Sequence, residues 1–185
     1  MHTLTDNALM LKVKSGELDT LGLLYERYKR RLFGFFYNLH RDATLSEDLV
    51  QNVFVRVLKY KHTFTGEGSF AAWIFCMARN INSDYWKRQK KVTYELSAME
   101  FKLQGPTDLE ADMVLKDGVM QLHQALEQLP PDKREILVLS KLKEMKFSEI
   151  AQIMGCSESA AKVKAHRALK ELRKVYMDIE NGNGY

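Results

Sequence analysis

No proline occurs before residue 106 in this 185-residue chain, and the other two stand together at 130 and 131. Proline removes a backbone donor and clashes with the preceding turn, so its absence leaves helix interiors unbroken over more than half the chain. The apolar residues follow a helical period. In 19–39, "DTLGLLYERYKRRLFGFFYNL", Leu21, Leu24, Tyr25, Tyr28, Leu32, Phe35 and Phe36 fall at three- and four-residue steps. "TLSE" at 44–47 has the form of a capping box, with Thr44 at the cap and Glu47 reaching back. The helix it opens runs to about Lys59 and turns Leu49, Val50, Val53, Phe54 and Val57 inward. Asp48, Gln51, Asn52, Arg56 and Lys59 lie on its other side. "HTFTGEGS" (62–69) is turn-rich, and a long helix is predicted from about Phe70 to Lys90. No strand-like alternation of useful length appears, so the fold class is all-α.

Residues 92–107 have weak periodicity and contain Gly105-Pro106, which reads as a flexible linker between two helical modules, 1–91 and 108–177, with a tail at 178–185. "TDLE" (107–110) is a second capping box, opening a helix whose inward face would carry Leu115, Val119, Leu122, Leu126 and Leu129. Pro131 begins the next helix at its first turn, where the missing N–H is harmless. Each module has apolar faces enough for its own core. Neither is expected to need the other to fold, and the linker is expected to leave them mobile. Charge is unevenly spread: 15 Lys/Arg against 9 Asp/Glu in 1–91 (net +6), 2 against 6 in 92–118 (net −4), and 11 against 9 in 119–185 (net +2). The first residues lack the basic-then-apolar pattern of a secretory signal, and the longest strongly apolar run, "AAWIFCMA", is far too short to span a bilayer. Cys76 and Cys156 have no CxxC partner and read as small buried apolar residues in a reducing compartment. The expectation is a cytoplasmic protein with no membrane insertion and no metal or cofactor.

Residues 146–174, "KFSEIAQIMGCSESAAKVKAHRALKELRK", break a helix at a glycine and restart it. Ser148 is predicted to cap a short helix over 149–154, Gly155 to supply the left-handed turn, and Ser157 to cap a second helix with Ala161, Ala165, Ala168 and Leu172 inward. This is the pattern of a helix-turn-helix, whose second helix can enter the major groove. Residues 157–174 carry six Lys/Arg against two Glu, suited to phosphates, although cations near a helix C-terminus also fit a plain solvated face.

The frame "LEQLP…REI…FSEIA…MGCS…K…HRA…LR" in 125–174 resembles region 4 of bacterial sigma-70-type sigma factors, in the extracytoplasmic-function (ECF) group. "LYERYKRRLFGFFYNLHRDATLSEDLVQNVFVRVLKY" resembles region 2.1–2.2, and "GSFAAWIFCMARNINSDYWKRQKK" resembles region 2.3–2.4. The resemblance covers most of the chain in the expected order. It implies that Ser157, Glu158, Ser159, Lys162, Lys164, His166 and Arg167 read a −35 element, although His166 fits a solvated residue equally well. It implies that Lys61, His62, Phe64, Arg79, Asn80, Trp86, Lys87 and Arg88 serve −10 recognition and melting. Hydrogen bonding within the module is an equal alternative for Arg79 and Asn80. Asp48, Gln51 and Asn52 would dock on core RNA polymerase. The chain departs from the common pattern at Ala160, Ala161 and Val163, where Thr, Val and Ser are commoner, and at Asn52, where many relatives carry Glu.

The implied partners are the β′ clamp helices and β flap of core polymerase, promoter DNA, and an anti-sigma factor of a kind that is often membrane-anchored. The acidic linker is either an RNA-like segment or simply solubilising. A dimeric helix-turn-helix regulator with a helical effector domain is the competing reading. An enzyme is disfavoured, because no P-loop, HExxH or GxSxG occurs.

Overall fold

The computed structural model describes residues 4–96, 113–141 and 145–181, and every regular element among them is helical. Four helices form the N-terminal module: α1 (Asp6–Ser15), α2 (Thr20–His40), α3 (Ala43–Tyr60) and α4 (Phe70–Leu96). Four form the C-terminal module: α5 (Met113–Gln128), α6 (Pro131–Lys141), α7 (Phe147–Met154) and α8 (Glu158–Glu180). The stripe expected on α2 is buried at Leu24, Tyr28, Leu32, Phe35 and Phe36 and continues to Leu39. It packs on Val53 and Val57 of α3 and on Ile74, Phe75 and Ala78 of α4, all fully buried. Side chains of this size each contribute roughly 1.5–3 kcal/mol when removed from water, so this one seam can hold the module together.

Several local expectations need correction. Thr44 is not the cap of α3: Asp42 precedes it and accepts from the Leu45 amide at 2.9 Å, because a carboxylate one residue before the helix meets that free N–H directly. Ser148 does not cap α7, which starts at Phe147; its Glu149 instead accepts from the Lys146 amide at 3.0 Å. Ala125 and Leu126 of α5 are buried, as is Leu129 just past its end, whereas Val119 and Leu122 are exposed. The stripe on this helix is covered only towards its C-terminal end. The first boundary also moves, since α4 continues to Leu96 through residues read as linker. α8 likewise runs to Glu180, into the expected tail. The remainder of the linker, the capping box at 107–110 and the side chain of Leu115 lie outside the described residues.

α6 buries Glu135, Ile136, Leu137, Val138 and Leu139 in succession. Five consecutive residues point around the whole circumference of a helix, so a single neighbour cannot cover them. α6 is in fact enclosed between α8 of its own module and α2 of the other, while α7 lies along α4. The two modules are therefore packed against each other.

Candidate nucleic-acid interface

The helix-turn-helix is built as its sequence dictates. Gly155 ends α7 with φ +63° and ψ +41°, the left-handed conformation in which a β-carbon is penalised. Ser157 caps α8 by accepting from the Ala160 amide at 3.2 Å. Ala161, Ala165, Ala168 and Leu172 are buried, and the small alanines let α8 approach α7 closely. Outside this stripe stand Ser157, Glu158, Ser159, Lys162, Lys164, His166 and Arg167, all seven exposed. Lys162 pairs with Glu158 at 2.7 Å one turn earlier, and its ammonium lies 6.0 Å from the Phe147 ring centroid. The result is a protruding basic helix with a preordered lysine near its start.

The second candidate surface lies on α4 and the loop before it. Lys61 is half-buried and His62 exposed in a short 3₁₀ turn, Lys61–Thr63. The loop is held from α1: Asn7 donates to the Gly66 and Gly68 carbonyls at 3.2 and 2.7 Å and accepts from the Phe70 amide at 2.8 Å. Lys14 donates to the Phe64 carbonyl at 2.6 Å. Gly66 and Gly68, with φ +84° and +78°, supply the turns. Phe64, expected among the −10 melting residues, is turned into the core rather than to solvent. Its ring is 2% exposed and packs edge-on to Phe70 and Trp73, so burial of a large apolar ring outweighs exposure in the loop. Asn7 and Lys14 were missed, because nothing in a sequence marks a contact made across some fifty or sixty positions.

Along α4, Asn80, Trp86, Lys87 and Arg88 are exposed and Arg79 is half-buried. Trp86 stacks on His40, with ring centroids 5.5 Å apart and planes at 24°, which fixes the indole while leaving its other face open. Asp84 receives a 2.8 Å bond from Arg56. That bond, ahead of the weaker opposing effect of burial, holds its carboxyl below the usual range. Among the described residues, the Arg79 side chain makes its hydrogen bonds to the C-terminal module. Its Nε donates to Glu135 of α6 at 2.7 Å, and Asn82 donates to the other Glu135 oxygen at 3.2 Å. A cleft of about 330 Å³, lined by Arg79, Asn80, Asn82, Trp86, Arg134 and Glu135 among others, runs between the modules here.

A third surface is the outer side of α3, where Asp48, Gln51 and Asn52 are exposed together. Val55 and Leu58, 60% and 41% exposed, fall on the same side. Both lie off the buried stripe of Leu49, Val50, Val53 and Val57, and that mismatch was the sequence signal for them. A groove of about 310 Å³ between α2 and α3 adjoins this side, with Tyr25, Lys29, Phe33, Glu47 and Gln51 in its walls. Among the described residues no cluster of three or more His, Cys, Asp or Glu could hold a metal, and no helix is long and apolar enough to cross a membrane. Cys76 and Cys156 are free thiols and are half-buried rather than buried.

Family models for sigma-70 region 2 and for sigma-70, region 4 match residues 24–92 and 119–172 respectively. The chain is 31% identical over 161 residues to the ECF RNA polymerase sigma factor SigX of Bacillus subtilis (strain 168), covering 84% of this chain and 83% of SigX. It is 31% identical over 173 residues to the RNA polymerase sigma factor CarQ of Myxococcus xanthus, covering 92% of this chain and 97% of CarQ. Among solved structures, the fold matches a chain in the structure of CnrH in complex with the cytosolic domain of CnrY. The TM-score is 0.69 at 22% identity, over 92% of this chain and 96% of that one. It also matches a chain in the co-crystal structure of the sigma factor RpoE with the anti-sigma factor NepR from Bartonella quintana. There the TM-score is 0.67 at 20% identity, over 84% of this chain and 95% of that one.

Proposed function

The chain belongs to the ECF group of sigma-70-type RNA polymerase sigma factors, and from that premise we propose how its surfaces divide the work of promoter recognition. The protein binds core polymerase and directs initiation at promoters with −35 and −10 elements; the polymerase, not this subunit, carries out nucleotidyl transfer. α8 enters the major groove at −35. Ser157, Glu158, Ser159 and His166 stand where base edges are read, while Lys162, Lys164 and Arg167 neutralise phosphates. At −10, the loop ending in Gly66–Gly68 receives an unstacked base, with Lys61 and His62 at its rim and Phe64 supporting it from beneath. Arg79, Asn80, Lys87 and Arg88 follow the strand, and the free face of Trp86 offers a stacking surface. Stacking of this kind contributes about 1–3 kcal/mol per base, enough to offset part of the unpairing.

The α3 side with Asp48, Gln51 and Asn52 docks on the β′ clamp helices, and Val55 and Leu58 give that contact an apolar centre. The C-terminal module takes the β flap. The protein works where polymerase works, in the cytoplasm. RpoE of Bartonella quintana was crystallised with an anti-sigma factor, and an inhibitor of that kind is the remaining partner of this chain. The observation that carries the reading is the exposure of all seven reader positions on a helix opened by Gly155 and Ser157. Its test is reconstitution with bacterial core polymerase and run-off transcription from a genomic fragment library. Discrete start sites sharing a pair of upstream elements are expected; initiation no more specific than that of core enzyme alone rules the reading out.

A further inference from the structure

We propose that Val163 reads a thymine of the −35 element by packing against its C5-methyl group, which makes it a specificity-determining residue outside the seven polar and charged readers. The inference rests on the sigma-factor reading of α8 and names a base that this helix selects. Val163 is 48% exposed, although it is a β-branched apolar residue in the interior of a helix. Alanine would form an exposed stretch of helix better, so stability gives no reason for valine here. A single exposed valine is ordinary on any surface; the place of this one gives it a role.

The place follows from helix geometry. At about 100° per residue, Val163 points roughly 170° away from the mean direction of the buried Ala161, Ala165, Ala168 and Leu172. It therefore stands at the middle of the outward face, with Ser159 and Arg167 one turn before and after it. Lys162 and Lys164 project about 100° to either side, towards the two phosphate backbones that flank a helix seated in the major groove. Lys162 is drawn further from the centre by its 2.7 Å bond to Glu158. Ala160, half-buried and three residues earlier, adjoins Val163 and also lacks a polar side-chain atom. Val163 lies about 8 Å along the axis from the start of α8 at Glu158, comparable with the ~8.5 Å depth of the groove, so it stays within reach of base edges.

Chemistry then selects the base. Thymine alone presents an apolar group in the major groove; the other bases show amino donors or N7 and O6 acceptors. A valine pressed on an amino group or a ring nitrogen displaces its water and returns no hydrogen bond, which penalises those pairs. Against thymine the same contact removes methyl surface from water on both sides. The preference is built from attraction to one base and unpaired polar atoms on the other three.

The test measures binding of holoenzyme, reconstituted from the full chain and core polymerase, to the promoter mapped by run-off, in competition at fixed salt. Each thymine of the −35 element, on either strand, is replaced in turn by deoxyuridine, which deletes the methyl group and keeps every hydrogen-bonding atom. At one position the replacement should weaken binding about fourfold, the worth of one buried methyl group. Val163→Ala, checked for unchanged helical circular dichroism, should weaken binding to the thymine duplex by a similar factor and abolish the difference from deoxyuridine. Lys164→Ala should weaken both duplexes alike and leave that difference intact. A −35 element without A·T pairs, no response to deoxyuridine at any position, or a difference that persists in Val163→Ala overturns the methyl contact. In each of those cases run-off transcription from discrete start sites still proceeds; its absence instead sinks the sigma-factor reading.

Discussion

Asn7 ties the loop and the start of α4 to a helix 59 to 63 positions earlier, with two bonds donated to the loop and one accepted from the first residue of α4. Replacing it with Ala should lower stability by about 1–2 kcal/mol, because its bonds are part-buried or exposed and each contributes roughly 0.5–1.5 kcal/mol. Promoter opening, followed by permanganate footprinting, should suffer more than affinity for core polymerase. Equal opening by a folded Asn7→Ala protein would remove the loop from the melting site. Histidines give a second expectation at this scale. Burial, only partly offset by the bond to Asn82, holds His40 below its ordinary 6.5. Burial, then the neighbouring Arg41, lowers His123 as well. The unfolded chain therefore takes up protons first as pH falls past about 6.5, and stability declines between there and the lowered folded values. Urea unfolding at pH 7.5 and 5.5 should show this loss, and a His40→Gln/His123→Gln double variant should show less of it. Which residues bear charge and which are aromatic was legible in the sequence; which are turned to solvent was not. Phe64 and Trp86 are both aromatics beside a basic stretch, yet one is core and the other exposed, and only the packing of α1, α2 and α4 separates them.

Helices were the most legible level, since period and breaker residues act within a few positions. The turn between α7 and α8 followed from Gly155, Ser157 and four small or apolar inward residues, because each effect there is local. Caps were less legible. Asp42 takes the Leu45 amide and Glu149 the Lys146 amide, so both helices start earlier than caps at Thr44 and Ser148 would have them, since several polar side chains near a helix start compete to set its first turn. Gly155→Ala should cost about 1–2 kcal/mol in thermal or urea unfolding, with Gly155→Asn closer to unmodified. No atom lies within 4 Å of a β-carbon placed there, so the penalty is backbone conformation alone. An unchanged midpoint for the Ala variant would mean that the turn relaxes. On α8, Lys162→Ala or Arg167→Ala should each weaken binding to −35 duplex and flatten the log–log salt dependence by about one ion. A loss of affinity with the slope intact would reassign that residue from phosphate to base contact.

At the scale of the whole molecule, the sequence indicated two modules but not that they meet. One trace was present: Ile136-Leu137-Val138-Leu139 is an unbroken apolar run in a helix whose expected amphipathic face needs only every third or fourth residue. Such a run is also what a helix buried within one domain looks like, so by itself it could not identify the neighbour. With Glu135 it forms the enclosed girth of α6, covered by α8 on one side and α2 on the other. Folding unaided would leave one side of α6 in the C-terminal half uncovered. Split at Gly105, the N-terminal fragment should unfold cooperatively at nearly its stability in the full chain, because its seam from Leu24 to Phe75 is internal. The C-terminal fragment should still fold around Leu129, Ile136, Leu139 and Leu172, but with one side of α6 exposed. Uncovering about one large aliphatic side chain corresponds to ~1.5–3 kcal/mol, a sizeable fraction of a small domain's stability. Urea unfolding of the fragments against the full chain measures this directly, and added N-terminal fragment should recover the loss in a concentration-dependent way. A C-terminal fragment as stable alone as in the whole chain would mean that α8 by itself covers α6 in solution. The contact between the modules would then rest on its polar bonds, and moderate salt should separate them.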